Sequence, residues 1–209
     1  LTLMLWGLFK KMVIADNLAV IADRGFDSPW RFQGPELTAS TLAFAFQIYC
    51  DFSGYSDIAV GCARVMGVHL TDNFNRPYLA GSIQDFWRRW HISLSGWFRD
   101  YVYRPLGGNR RGAARAAINV MAVFVLSGVW HGANWTFACW GLIHGAAYLG
   151  ERVLSRAAGT ARPIAPALLR TAAVFAVVTI AWIFFRAASL SDAWLILSPL
   201  PSGWGILFD

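Results

Sequence analysis

Residues 116–150 read AAINVMAVFVLSGVWHGANWTFACWGLIHGAAYLG, a run with no Asp, Glu, Lys or Arg. As one helix, 35 residues would measure roughly 52 Å, against a hydrocarbon core of about 30 Å. The run must therefore break, and Trp130-His131-Gly132-Ala133-Asn134 is the breakable place. Two apolar segments, about 113–130 and 134–150, are expected to meet there as a hairpin. Of the four histidines in the chain, His131 and His144 lie inside this run. An imidazole at a helix break within a bilayer is costly unless something uses it, which makes His131 the first candidate for chemistry.

The rest of the chain agrees with that class. Of its 209 residues, 56% are hydrophobic and only 14% charged, where soluble domains carry roughly 25% charged. Further apolar segments cover 1–22, 37–66 and 171–185, so the chain is expected to be an all-α, polytopic transmembrane bundle. The net charge of +6 comes from short basic runs between apolar segments. That pattern fits the cytoplasmic Lys/Arg bias of membrane proteins and argues against nucleic-acid binding. Cys50, Cys62 and Cys139 lie in apolar segments without metal-ligand spacing and read as buried hydrophobes. No charged n-region precedes the first apolar segment, so it is not expected to be a signal peptide. The chain opens at Leu1 within an apolar segment and stops in Gly205-Ile206-Leu207-Phe208-Asp209; it reads as a piece of a longer protein.

Local patterns add detail. Lys10 and Lys11 interrupt the first segment near an interface, and residues 23–36 read as a loop. Asp51 and Asp57 should face the bundle interior or water, with Arg76, Arg88 or Arg89 as partners. From Gly81 to Tyr101 one helix is expected to carry an aromatic arc (Ile83, Trp87, Trp90, Leu94, Trp97, Phe98, Tyr101). A polar stripe lies beside it (Gln84, Arg88, His91, Ser95, Arg99), as suits an interfacial or re-entrant helix. Five arginines fall within 99–115, and Arg152, Arg156, Arg162 and Arg170 within 151–170. If both runs face the cytoplasm, the His131 pair fits between them as a hairpin. Arg170 and Arg186 bound the last segment and are expected to snorkel.

Neutral imidazole suits His131 to general-base work. Gly132 would let a substrate approach, and Asn134 or a freed backbone N–H could hold the imidazole or an oxyanion. The alternative is a histidine hydrogen-bonded between helices. His144 reads as structural or as a second pocket wall, His91 as a ligand for an anionic donor or a solvated interfacial residue, and His69 as structural. No metal-ligand spacing such as HExxH occurs, and no serine sits in a G-x-S-x-G elbow. A transporter built on inverted repeats would show two matched broken helices, and only one break is visible.

Long motifs then bring a resemblance. Tyr49-Cys50-Asp51-Phe52-Ser53-Gly54-Tyr55-Ser56-Asp57, Asn73-Phe74-Asn75-Arg76-Pro77-Tyr78, Asp85-Phe86-Trp87-Arg88-Arg89-Trp90-His91 and Phe98-Arg99-Asp100-Tyr101 resemble the membrane-bound O-acyltransferase (MBOAT) family. Pro105-Leu106-Gly107-Gly108-Asn109-Arg110 and the run from Leu126 to Phe137 agree, and the whole resembles the bacterial alginate O-acetyltransferase branch. The resemblance implies one MBOAT membrane domain over 1–209, lacking its N-terminal helices and C-terminal end. It implies a funnel to a buried histidine, His131, with His91 near the active site; Trp130, Asn134 and His144 are read beside them as supporting residues. It further implies acetyl transfer from a cytoplasmic thioester, with acetyl-CoA as co-substrate and no bound cofactor or metal. The acceptor would be a hydroxyl of an exported polysaccharide such as alginate, with periplasmic partner proteins, at the bacterial inner membrane. Arg88, Arg99, Arg104 and Arg110 would attract the donor's phosphates. The rival readings are a D-alanyl transfer protein of teichoic-acid modification, fed by a carrier protein, and an acyl conduit without catalysis.

Overall fold

A computed structural model describes residues 1–157 and 165–207. The described residues are helical, with no strand among them. They form two compact units, residues 74–181 and residues 1–73 with 182 onward.

In the unit holding the N-terminus, α1 (Thr2–Leu8) runs through a π-helical stretch (Phe9–Ala15) into α2 (Asp16–Asp27). Both pack on the long α3 (Gly34–Val65). The expected loop over 23–36 is therefore shorter than the sequence suggests, because α2 continues to Asp27 before a 3-10 turn at Pro29–Arg31. Gln33 and Glu36 then start α3 with a reciprocal capping box, Gln33 N–H donating to Glu36 Oε2 at 2.8 Å. Glycines bring the helices close: a Cβ on Gly7 would press into the carbonyl of Gly54.

The acidic residues of α3 find partners that the sequence did not suggest. Buried Lys10 pairs with Asp57 at 2.8 Å and donates to Ser53 Oγ at 2.9 Å, while Lys11 pairs with Asp51 at 2.5 Å. The expected arginine partners are thus corrected. The lysines of the packed neighbour lie nearer: the Lys10–Asp57 pair is largely buried, whereas Lys11 and Asp51 are each about half exposed.

The other unit contains α4 (Ile83–Arg89), α5 (Ile92–Phe98), a π-helical turn (Arg99–Tyr103), α6 (Gly112–His131) and α7 (Trp135–Ala157). Residues 167–181 of α8 (Ala167–Arg186) belong to it as well, while the end of α8 and α9 (Leu190–Leu197) belong with the N-terminal helices. Arg186, expected to snorkel, turns instead to Asp23 at 2.9 Å and lies over the Phe26 ring. Among the described residues, α6 and α8 are long and apolar enough to cross a membrane. Arg162, one of the basic residues noted in the sequence, lies outside the described residues, as do Phe208 and Asp209.

The break in the charge-free run falls where expected, with α6 ending at His131 and α7 opening at Trp135. Gly132 is extended, so its need for glycine is spatial: a Cβ there would overlap the Phe137 ring. Asn134 restarts the helix, its Oδ1 accepting the Thr136 N–H at 3.2 Å, an N-cap worth about 1 kcal/mol. The two helices then lie side by side. Gly128 sits against the Phe137 carbonyl and Gly141 against the Phe124 carbonyl, each closely enough that a Cβ would collide with backbone. Small residues permit such approach where lipid gives helices no hydrophobic drive to associate.

The single helix expected over 81–101 is corrected. Trp90 is extended and His91 is left-handed, with φ 44° and ψ 56°, so α4 and α5 are separate and the continuous polar stripe does not form. Aromatic packing accounts for the turn. Trp90 is buried against Phe74 (5.0 Å), Phe86 (5.7 Å) and Tyr78 (6.1 Å), and such rings bury large apolar areas that an unbroken helix would leave uncovered.

Candidate active site

The break at His131 sets its surroundings. Its imidazole is ringed by Trp130 (5.0 Å), Trp140 (5.4 Å, edge-on) and Phe137 (6.5 Å). Trp130 is itself exposed, whereas Trp140 is fully buried. His91, carried to the turn between α4 and α5, comes near enough for the His131 charge to act on it. Burial first, and then that charge, push the His91 imidazole down to about 4. His91 is therefore neutral near pH 7, with one ring nitrogen unprotonated. Its left-handed backbone is uncommon for a residue with a Cβ and costs of order 1–3 kcal/mol, a strain that clusters at functional positions.

His144 is wholly buried behind this pair. Its Nδ1 accepts the Trp87 indole N–H at 3.3 Å, which leaves the ring proton of the neutral form on Nε2. Trp140 touches both histidines of the α6–α7 hairpin, 5.0 Å from His144 and 5.4 Å from His131. Thus Trp140 links His131 and His144, and Trp87 packs on both Trp140 and His144, whereas His69 lies exposed in coil after α3. Asn134 spends its side-chain oxygen on the helix cap.

Beside this cluster lies a cavity of about 1280 Å³. Trp87, Phe124 and Ser127 form part of its wall, so Trp87 stands between the open space and His144. Arg99, Arg152, Arg156 and Arg170 also line it. Of the four arginines singled out in the sequence, Arg99 alone is on that wall among the described residues. Arg99 and Arg104 both pair with Asp100 at 3.0 Å, and the Arg99 hydrogen bond holds the Asp100 carboxyl below its usual range. Arg88 and Arg110 are exposed. Sequence reading missed Arg152, Arg156 and Arg170 as site residues. The i,i+4 spacing of Arg152 and Arg156, which puts both on one helix face, was the available signal. Among the described residues, no three His, Cys, Asp or Glu side chains group as a metal site would require.

The model of the MBOAT, membrane-bound O-acyltransferase family matches residues 2–191. The chain belongs to this family. It is 46% identical to a peptidoglycan O-acetyltransferase of Helicobacter pylori, over 91% of this chain and 36% of that protein. It is equally 46% identical to a protein of Azotobacter vinelandii named "Probable alginate O-acetylase AlgI", over 90% of this chain and 37% of the relative. A teichoic acid D-alanyltransferase of Bacillus subtilis is 38% identical over 110 residues, 48% of this chain and 27% of that protein. The chain thus spans little more than a third of the length of the first two of these relatives. The family match runs through both compact units and takes in His91, His131 and His144.

Proposed function

We propose that the protein containing this chain is a multi-pass bacterial inner-membrane O-acetyltransferase with this segment inside a single MBOAT domain. It moves acetyl from a cytoplasmic thioester, acetyl-CoA, toward hydroxyls of an exported polysaccharide such as alginate, with periplasmic partner proteins. The observation that carries the reading is His131 at a helix break, ringed by Trp130, Trp140 and Phe137, in a chain of this family.

In this reading His131 is the general base. Its unprotonated nitrogen takes the proton of the acceptor hydroxyl as that oxygen attacks the thioester carbonyl. The tetrahedral intermediate collapses with cleavage of the C–S bond, and the thiolate leaves with the proton that His131 returns. His91 lies beside the reacting groups as a neutral partner, Trp130, Asn134 and His144 support the site, and Arg99, Arg152, Arg156 and Arg170 hold the donor's phosphates at the cavity wall. Guanidinium groups suit phosphates because they pair with them in two-pronged fashion. Arg88, Arg104 and Arg110 act at longer range, on the donor's approach.

The test uses the full-length protein in membrane vesicles, offered either radiolabelled acetyl-CoA or a D-alanylated carrier protein. Label passing from acetyl-CoA to polysaccharide supports the proposal. Transfer from the carrier alone replaces it with the D-alanyl reading, and passage of label across the membrane without a new ester replaces it with a conduit. Label on peptidoglycan in place of alginate keeps the reaction and changes the acceptor.

A further inference from the structure

Helix α7 bears a stripe of four residues, Trp140, His144, Tyr148 and Glu151, spaced so that they share one face. Helix α4 lies against α7 and meets the stripe rung by rung. The N–H of Ile83 donates to both carboxylate oxygens of Glu151, at 2.7 and 2.9 Å, and the Gln84 N–H approaches Glu151 at 3.4 Å. One turn further, Gln84 Nε2 donates to Tyr148 Oη at 2.9 Å. Next, Trp87 Nε1 donates to His144 Nδ1 at 3.3 Å, with the indole edge-on to Trp140 at 5.7 Å. Beyond that rung come Trp90 and His91, just past the end of α4, and His131 beside Trp140. Glu151 lies roughly 16 Å along α7 from Trp140.

We infer that Glu151 is a positioning residue for the His91–His131 pair, acting through the register of α4 on α7. The inference rests on the function proposed above. Seven residues are too few for a helix to hold itself together in isolation, so the placement of α4 is decided by its anchors. Its first turn exposes backbone N–H groups that need acceptors. Ser82 Oγ takes that of Asp85 at 2.9 Å, and Glu151 takes the two before it. The Glu151 carboxylate is thereby the one rung made by backbone at the α4 end, and it fixes where along α7 the helix begins. Glu151 also lines the cavity that Arg99, Arg152, Arg156 and Arg170 share. Committing its charge to α4 amides keeps that carboxylate from pairing with Arg152, Arg156 or Arg170 on the same wall.

The experiment compares Glu151→Gln, Glu151→Ala and Ile83→Pro in the full-length protein. Glutamine keeps an acceptor oxygen at the same reach. Proline removes the Ile83 N–H at a first-turn position that proline tolerates. Glu151→Gln should keep kcat within about threefold. Glu151→Ala should lower kcat about 10- to 100-fold, the order expected of a misplacement near 1 Å, with donor KM little changed. Combining Ile83→Pro with Glu151→Ala should cost less than the product of the single losses, since both remove the bond from the Ile83 N–H to Glu151. Spin labels at the exposed positions Arg88 and Leu142 give a readout independent of turnover. The distance between α4 and α7 should be single and narrow in the wild type and Glu151→Gln, and shifted or broadened in Glu151→Ala. An unchanged distance and unchanged kcat in Glu151→Ala would overturn the inference, as would strict multiplicativity of the two variants. If the wild type transfers no acetyl group, the proposed function fails, while the distances still decide the positioning role.

Discussion

Replacing Gly128 with alanine should cripple the site without touching any histidine. The Gly128 Cα faces the Phe137 carbonyl so closely that an added methyl would sit deep inside contact distance of backbone atoms. Neither partner is the far end of a flexible side chain, so the α6–α7 pair must separate. Regaining ordinary carbon–oxygen contact near 3.5 Å requires a shift on the order of 1 Å. Overpacking of this kind costs about 1–3 kcal/mol. Gly128 is one turn before His131, and the Phe137 ring packs on His131 at 6.5 Å, so the shift falls on the candidate base. A displacement of 1 Å is worth on the order of 100-fold in turnover. Acetyl transfer by vesicles, normalised to protein level, should fall by about that factor, and melting of the detergent-purified protein should shift downward. Gly141→Ala, which meets the Phe124 carbonyl, should behave alike, whereas Leu142→Ala on the exposed side of α7 should stay near wild type. Wild-type turnover and melting in Gly128→Ala would refute the close-packed hairpin.

Other consequences follow from the same geometry. Asn134→Ala should remove the α7 cap and cost about 1 kcal/mol of stability, read by melting; Asn134→Asp should restore it. Arg156→Gln with Arg170→Gln should raise the acetyl-CoA KM severalfold with kcat little changed, and equal KM would place the donor elsewhere. Because His91 is held down to about 4 in the folded protein, against an ordinary value near 6.5, the unfolded chain binds more protons between those values. Stability should therefore fall as pH drops from about 6.5 toward 4 and level off above. His91→Asn, which tolerates the left-handed backbone, should flatten that slope in melts taken across the range.

Much of the hairpin was legible because its signal is local. A charge-free run longer than a bilayer must break, and Gly132 with Asn134 marks where. The turn at His91 was not legible. Residues 83–101 have the apolar period of one helix, and neither Trp90 nor His91 is a turn former; the break is imposed by Phe74, Tyr78 and Phe86, two of which lie well before it in the chain. The partners of Asp51 and Asp57 were hidden likewise, since Lys11 and Lys10 stand some forty residues upstream and nothing local announces the pairing. Arg152, Arg156 and Arg170 read as basic punctuation between apolar segments until the folded unit brought them to one wall with Arg99.

The central claim is that His131 carries the chemistry. Its most direct test is transfer of radiolabelled acetyl from acetyl-CoA by vesicles holding the full-length protein or His131→Ala at equal expression. Loss of a general base costs about 10²–10⁴-fold, so the variant should drop to background while still accumulating in the membrane. Transfer by His131→Ala at the wild-type rate would contradict the claim and leave His131 a structural residue of the hairpin.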